Sequence, residues 1–478
     1  MKYELFINGA FVPGEGKTVQ VLDPADNTVV AEYATASAEQ CEAALRAAKA
    51  ACKSWAATPI SERCAWLKKL IDAVLEERET IAELLSAESG KPYKTALEDV
   101  DGFAYYADYY VKEGERMDGV TLSTPGQSYG QMYQAVERRP MGVVVAHIAW
   151  NYPIAMAALK IGPAMVAGDP IVVKPASDTP LATLYLGHAI QKIGLPKGVV
   201  NIVAGPSGVV AKALNTSTIP SMITLIGSSA TGRRAMQEAS STSIKRFSME
   251  LGGNAPVIVM ADADIEQAAA RTVAMKCDNG GQICTNYNRI YVQAPVYETF
   301  LERVEEKLRE VKCGSKHDAG FIMGPMITRS GRDRMFELIE DAKAKGATLV
   351  CGGEIPPGLE AGNFITPALL RDVTEDMRVS REEIFGPIIA VRPFKTLDEA
   401  LEKANDTDLG LASYFYGHDA RDIARMFEEI ETGDVFINGG SGGNFVPHIG
   451  HKQSGIGCDQ SRWSLEEYFY LKRISMQP

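Results

Sequence analysis

The sequence predicts an α/β protein of two domains joined near residue 250, and three features carry that expectation. From residue 142 onward, β-branched runs (Val143-Val144-Val145, Ile171-Val172-Val173, Val199 to Val203, Ile223-Thr224-Leu225) alternate with helical stretches. Apolar strands separated by helices build parallel sheets, because helices on both faces remove the strands from water. The rhythm resumes after Glu250, with strands over Val257 to Met260, Ile290 to Val292 and Thr348 to Cys351 and a helix over Val296 to Lys312. Ahead of both sets, from residue 38 to 95, apolar residues recur at helical spacing, as in Trp66 to Leu75 and Ile81 to Leu85. Val120 to Arg139 is polar, carries Pro125 and Gly126, and reads as a hairpin or arm outside the sheet.

Composition narrows the class. The chain has 478 residues, enough for two or three domains with real cores, and its 46% hydrophobic and 23% charged content is that of an ordinary globular protein. With 49 Lys and Arg against 61 Asp and Glu, the net charge of −12 disfavours nonspecific binding to nucleic acid or anionic lipid. No apolar stretch is long enough to span a membrane and Met1-Lys2-Tyr3-Glu4 does not begin a secretion signal, so a cytoplasmic location is expected. Eight scattered cysteines, with no C-x-x-C pair and no clustering with the six histidines, suggest neither a disulfide framework nor a metal site.

Several short segments can carry chemistry. In Asn279-Gly280-Gly281-Gln282-Ile283-Cys284 two glycines permit unusual torsions just before a thiol, which local amide dipoles could hold as thiolate; a glycine turn before a buried cysteine looks the same. Glu250, directly before Gly252-Gly253 at the domain junction, is either a general base in a cleft or a solvated carboxylate before a loop. Trp150-Asn151-Tyr152-Pro153 follows the Val143 strand, where α/β folds bind ligands; Asn151 could donate to an oxyanion or cap the next helix. Ile226-Gly227-Ser228-Ser229 at a helix start suits a phosphate, although it is not a G-x-G-x-x-G fingerprint. Glu382-Glu383-Ile384-Phe385-Gly386-Pro387 places a carboxylate and an aromatic on one tight segment.

Taken together and in this order, these five segments resemble the aldehyde dehydrogenase superfamily, over nearly the whole chain from Ile7-Asn8-Gly9 to Leu465-Glu466-Glu467-Tyr468. The resemblance leans toward the succinate semialdehyde and lactaldehyde dehydrogenase branch. It implies a Rossmann-type cofactor domain over 1–119 and 140–249, an α/β catalytic domain over 250–438, and an oligomerisation arm of 120–139 with 459–478. Residues 439–458 would brace the active site. It also implies oxidation of a small aldehyde to the carboxylic acid, with Cys284 as nucleophile, Glu250 as general base, and Asn151 with the Cys284 amide as oxyanion hole. That chemistry suits the residue types: a thiolate adds to the carbonyl, donors hold the oxyanion, and a thioester is left for Glu250-activated water.

By the same resemblance the cofactor, NADP or NAD, would be held by Ile148, Trp150, Lys174, Ser177, Gly208, Gly227, Ser228, Leu251, Glu383 and Phe385. NAD-preferring relatives often carry a glutamate where this chain has Ser177; a neutral serine beside Lys174 removes repulsion of a 2′-phosphate, so NADP should be accepted. Tyr105, Tyr106, Tyr109, Trp150, Tyr152 and Phe445 could line a substrate tunnel, with Ile283 and Thr285 flanking the thiol, although an aromatic stripe on a helix is more often core. Leu159 stands where succinate semialdehyde enzymes place an arginine, which argues against a dicarboxylic semialdehyde. Thr285 rules out a vicinal disulfide, and Ile449 replaces a glycine, leaving the loop shape there open. His147, His448 and His451 are read as structural or pocket-shaping. A homodimer or homotetramer is expected. The competing readings are a coenzyme A-acylating enzyme and a catalytically silent structural homologue.

Overall fold

The computed structural model describes residues 3–122, 133–316, 318, 320–440 and 442–477. The helical pattern near the N-terminus becomes four helices, Ala38–Ala57, Ile60–Glu76, Arg78–Ser89 and Tyr93–Gly114. The first starts at a capping box: Ser37 Oγ accepts from the Gln40 amide while Gln40 Oε1 accepts from the Ser37 amide. Two otherwise orphaned N–H groups are thereby satisfied.

The β-branched runs form the centre of an eight-stranded sheet. Its spatial order is Ala10–Val12, Leu5–Ile7, Val200–Ile202, Ile171–Lys174, Val144–His147, Met222–Ile226, Arg246–Glu250 and Gly455–Ile456. The five strands from Val200–Ile202 to Arg246–Glu250 are mutually parallel. Numbered along the chain they lie 3-2-1-4-5, the doubly wound arrangement whose order reverses between Val144–His147 and Met222–Ile226. At such a reversal the connecting helices depart to opposite faces and leave a crevice at the strands' carboxyl ends, where ligands bind. Pro153–Ala167, the helix leaving the first of these strands, is buried along its entire length.

A second, seven-stranded sheet holds Thr348–Cys351, Ala368–Arg371, Ile388–Phe394, Arg289–Gln293, Pro256–Val259, Ala412–Tyr416 and Asp434–Ile437 in that order. All but the first pair are parallel. The chain passes from the first sheet to the second between Glu250 and Pro256. Gly455–Ile456 returns to the first sheet and pairs antiparallel with Met249 and Glu250.

The proposed arm is a three-stranded antiparallel sheet of Phe469–Met476, Tyr133–Pro140 and Val120–Leu122. Pro125 and Gly126, which suggested its turn, lie outside the described residues. The sheet exposes Leu122, Tyr133, Tyr470, Leu471 and Met476. Among the described residues no helix is long and apolar enough to cross a membrane, and no cluster of three potential metal ligands occurs. The eight cysteines are free thiols.

Candidate active site

The crevice at the reversal of strand order opens into a cavity of about 970 Å³. Asn151, Glu250 and Cys284 all reach it, each from a different construction. Glu250 is the last residue of an inner strand of the first sheet, held in register by Ile226 on one side and Gly455 on the other. Its carboxylate is 4% exposed and neither oxygen has a hydrogen-bond partner. Burial lifts its pKa well above the usual carboxylate range, and the carboxylates of Asp459 and Asp434 add to that; His448 and Lys160 pull it back down.

Cys284 ends a loop that only glycine-rich sequence can make. Asn279, Gly280 and Gly281 have φ values of 47°, 61° and 73°, three consecutive left-handed residues. A Cβ on Gly281 would lie 2.4 Å from the Gly386 carbonyl, and one on Gly253 would lie 2.3 Å from that of Cys284. The Glu250-to-Asn254 turn and the cysteine loop therefore touch backbone to backbone. Asn151 Nδ2 donates to the Gln282 carbonyl (3.2 Å), Asn279 donates to the Asn151 carbonyl (3.4 Å), and the buried Lys91 ammonium donates to the same carbonyl (2.6 Å) while pairing with Asp99 (3.1 Å). Asn151 is thus no helix cap: the helix it precedes has no side-chain cap bond.

The other end of the cavity fits a dinucleotide. Ser228 caps the twelve-residue helix Ser229–Ser240, whose first amides face the crevice, and Ser228, Ser229 and Thr231 line it together with Arg233 and Arg234. That combination of a helix N-terminus, hydroxyls and guanidinium groups suits phosphates. Glu383 accepts from the Gly253 amide (2.9 Å) and burial pushes its pKa up to about 7. A Cβ on Gly252 would lie 2.5 Å from this carboxylate, so any side chain there would displace it from this position. Phe385, at φ 50°, packs edge to face on Trp150 with ring centroids 5.4 Å apart. Lys174 is buried and donates to the Pro175 carbonyl (3.0 Å); burial lowers its pKa to about 8. Ser177 Oγ donates to the Gly205 carbonyl (3.3 Å).

Of the expected cofactor residues, Ile148, Trp150, Lys174, Ser177, Gly227, Ser228, Leu251, Glu383 and Phe385 line the cavity. Gly208 does not; Ser207 and Ala211 of the same turn do. The substrate tunnel fares differently, because none of Tyr105, Tyr109, Tyr152, Ile283, Thr285 and Phe445 is in the cavity wall. Tyr105 is 52% exposed and accepts from the Asn444 amide, Tyr109 bonds Glu113, and Phe445 is 66% exposed. Tyr152 is occupied by Asp278 and by the Lys91 ammonium, which sits 4.2 Å from its ring centroid. Thr285 offers its carbonyl to Tyr414. Met156, Leu159, His448 and Asp459 line the cavity instead. Ile449 fits without a glycine because it forms a short strand with Cys458.

His448 is the residue the sequence undervalued. Its Nδ1 lies 2.6 Å from Asp434 Oδ2, its Nε2 lies 3.7 Å from Glu250 Oε2, and it hydrogen-bonds the Cys284 side chain. Burial alone would depress the imidazole; Glu250 and Asp434 together raise its pKa well above the ordinary value.

A thiol, a buried carboxylate and a carboxamide share one crevice, and residues 11–474 match the aldehyde dehydrogenase family. The chain belongs to that family. Among aldehyde dehydrogenases it is 37% identical to the 3,6-anhydro-alpha-L-galactose dehydrogenase of Vibrio sp. (strain EJY3), covering 98% of each chain. It is 36% identical to the NADP(+) succinate-semialdehyde dehydrogenase of Escherichia coli (strain K12), covering 98% of this chain and 97% of the relative. The crystal structure of an E. coli NADP-dependent enzyme superposes with a TM-score of 0.96 at 35% identity, covering 100% of this chain and 98% of the other. The resemblance read from the motifs is borne out, as is the fold. The protein is an NAD(P)-dependent aldehyde dehydrogenase that oxidises a small aldehyde to the acid.

Proposed function

We propose that Cys284 is the nucleophile, Glu250 the base that activates water, and Asn151 with the Cys284 amide the oxyanion-binding pair. The observation that carries this reading is the convergence of the three side chains on one cavity, where neither oxygen of Glu250 accepts a hydrogen bond. A buried carboxylate that accepts no hydrogen bond is costly to keep, so it is best explained by a reacting group that completes it. The Cys284 thiolate adds to the aldehyde carbonyl and the Asn151 amide donates to the oxygen as it becomes negative. A bound nicotinamide nucleotide supplies the hydride acceptor. The acyl group is left on the sulfur as a thioester; Glu250 removes a proton from water, the hydroxide displaces the thiolate, and the acid leaves.

The residues placed to hold the nucleotide are Ser228 and its helix start for the phosphates, Glu383 for a ribose, and the Trp150–Phe385 pair beside it. Ser177 is neutral and Lys174, Arg233 and Arg234 are basic on the same wall, which supports NADP as a good substrate although the carboxylates of Asp178 and Glu238 line the cavity as well. The Asp178 carboxyl is raised by burial and held by Lys174. For the aldehyde, Leu159 offers no charge, and Lys160 beside it is committed to Asp459 at 2.5 Å. We therefore favour an uncharged, small aldehyde over a semialdehyde with a distal carboxylate. Eight free thiols suit the reducing cytoplasm, and the apolar residues exposed on the three-stranded sheet suit a homodimer or homotetramer, to be separated by sedimentation.

The test is reduction of NADP and NAD with a panel of aldehydes, without coenzyme A, for the wild type and Cys284→Ala. Turnover that Cys284→Ala abolishes supports the reading. Turnover surviving in Cys284→Ala overturns the nucleophile, and turnover only with coenzyme A overturns hydrolysis.

A further inference from the structure

Glu250 is enclosed so thoroughly that burial alone would hold it protonated, and a protonated carboxyl cannot take a proton from water. The groups facing it come from several elements. Asp434 begins the edge strand Asp434–Ile437 of the second sheet; Asp459 lies in the short strand Cys458–Asp459; Lys160 belongs to the buried helix Pro153–Ala167 and is paired with Asp459. Cys284 approaches from its loop, and Tyr106 of the helix Tyr93–Gly114 lies close enough to His448 for their charges to interact. Lys160 is paired with Asp459, and Asp434 and Asp459 are themselves carboxyl groups, which leaves His448 as the basic group aimed at Glu250, 3.7 Å away. Its ring is oriented by Asp434 through the other nitrogen, at 2.6 Å, and the side chain is 18% exposed. A nitrogen bound to a carboxylate acceptor carries a proton, and a second proton on Nε2 faces Glu250 and the thiol.

We infer that His448, clamped by Asp434, is a positioning residue that keeps Glu250 in the anionic, water-activating state. The imidazolium keeps its protons throughout; the proton taken from water resides on Glu250 and then passes to solvent. His448 also hydrogen-bonds the Cys284 side chain, so its influence on acylation is read separately from its influence through Glu250, which falls on the second half of the reaction. The inference rests on Glu250 being the base.

An activated ester tests it without nucleotide. p-Nitrophenyl acetate acylates Cys284 directly, releasing one p-nitrophenolate, and the thioacetate must then be hydrolysed by the same water and base. The rapid phase reports acylation and the linear phase deacylation. Wild type, His448→Gln, His448→Phe and Glu250→Gln are followed across pH, with intact mass measuring acyl-enzyme. In both His448 variants the rapid phase persists, acyl-enzyme accumulates at neutral pH, and the acid limb of the linear phase moves up by at least about one pH unit, a tenfold loss below the limb. Raising the pH restores the rate. Gln keeps a hydrogen bond to Asp434 and Phe fills the space, so a shift shared by both reports the lost charge. A uniform loss at every pH, an unshifted limb, or loss of the rapid phase overturns the inference. Glu250→Gln separates the two levels: if its linear phase survives, the base assignment itself fails and the inference with it; if that phase is abolished while the His448 variants stay unshifted, only the inference fails.

Discussion

The side-chain amide of Asn151 donates across 3.2 Å to the main-chain carbonyl of Gln282, two residues before Cys284. This bond ties the end of a strand in the first sheet to the loop that presents the thiol. The amide is thereby fixed before any substrate arrives, and a preorganised donor is worth more than one that must be recruited during the reaction.

Asn151→Ala should lower kcat by roughly 10² to 10³-fold with little change in KM for the aldehyde, because the lost donor acts mainly on developing charge. Steady-state kinetics checks this. A rise in KM at constant kcat would show that Asn151 serves binding instead.

As the proposed base Glu250 would have to be an anion, and its burial places its pKa well above the usual carboxylate range. Turnover limited by thioester hydrolysis should therefore fall as pH drops through that elevated value and recover when pH is raised. Glu250→Gln should remove about 10² to 10⁴-fold of the rate, the range of general base catalysis, and with it the limb. A pH series of kcat for both proteins decides the matter.

Ser177→Glu should shift cofactor choice toward NAD. A carboxylate beside Lys174 repels a 2′-phosphate and accepts from ribose hydroxyls, so kcat/KM for NADP is expected to drop by at least about tenfold relative to NAD. Equal efficiencies before and after the change would place the phosphate elsewhere on the wall.

The Lys160–Asp459 pair is buried on both sides, with side chains 0% and 3% exposed. Removing one partner strands the other charge, so Lys160→Met should destabilise the fold by about 3–5 kcal/mol in denaturant unfolding. The double change Lys160→Met with Asp459→Leu should recover much of that loss, since two apolar groups leave nothing uncompensated.

The residues that could be read from sequence share a property. Glu250, Cys284, Ser228 and Glu383 sit beside glycines whose need is local: the left-handed run at Asn279 to Gly281 and the close approach at Gly252 are written in consecutive residues. Strands of the first sheet were legible for the same reason, because burial on both faces makes them continuously β-branched. The substrate wall was not. Tyr105 and Tyr109 look like tunnel residues because they are aromatic on one helix, yet one bonds Asn444 and the other Glu113. From sequence His448 reads only as structural or pocket-shaping, because its contacts are with Asp434, fourteen residues away on a different strand, and with Glu250 in a different sheet. No local pattern encodes a contact of that kind.

The strand that ends in Glu250 is flanked on one side by Gly455–Ile456, supplied some two hundred positions later. A chain still being synthesised holds Asn151, Glu250 and Cys284 once residue 284 has been added, yet the base's strand lacks that neighbour and His448 does not exist. The surroundings of Glu250 are therefore completed last, after nearly the whole polypeptide has been made: a chain ending short of residue 448 lacks the imidazole that faces this carboxylate, and one ending short of residue 455 lacks the strand beside it.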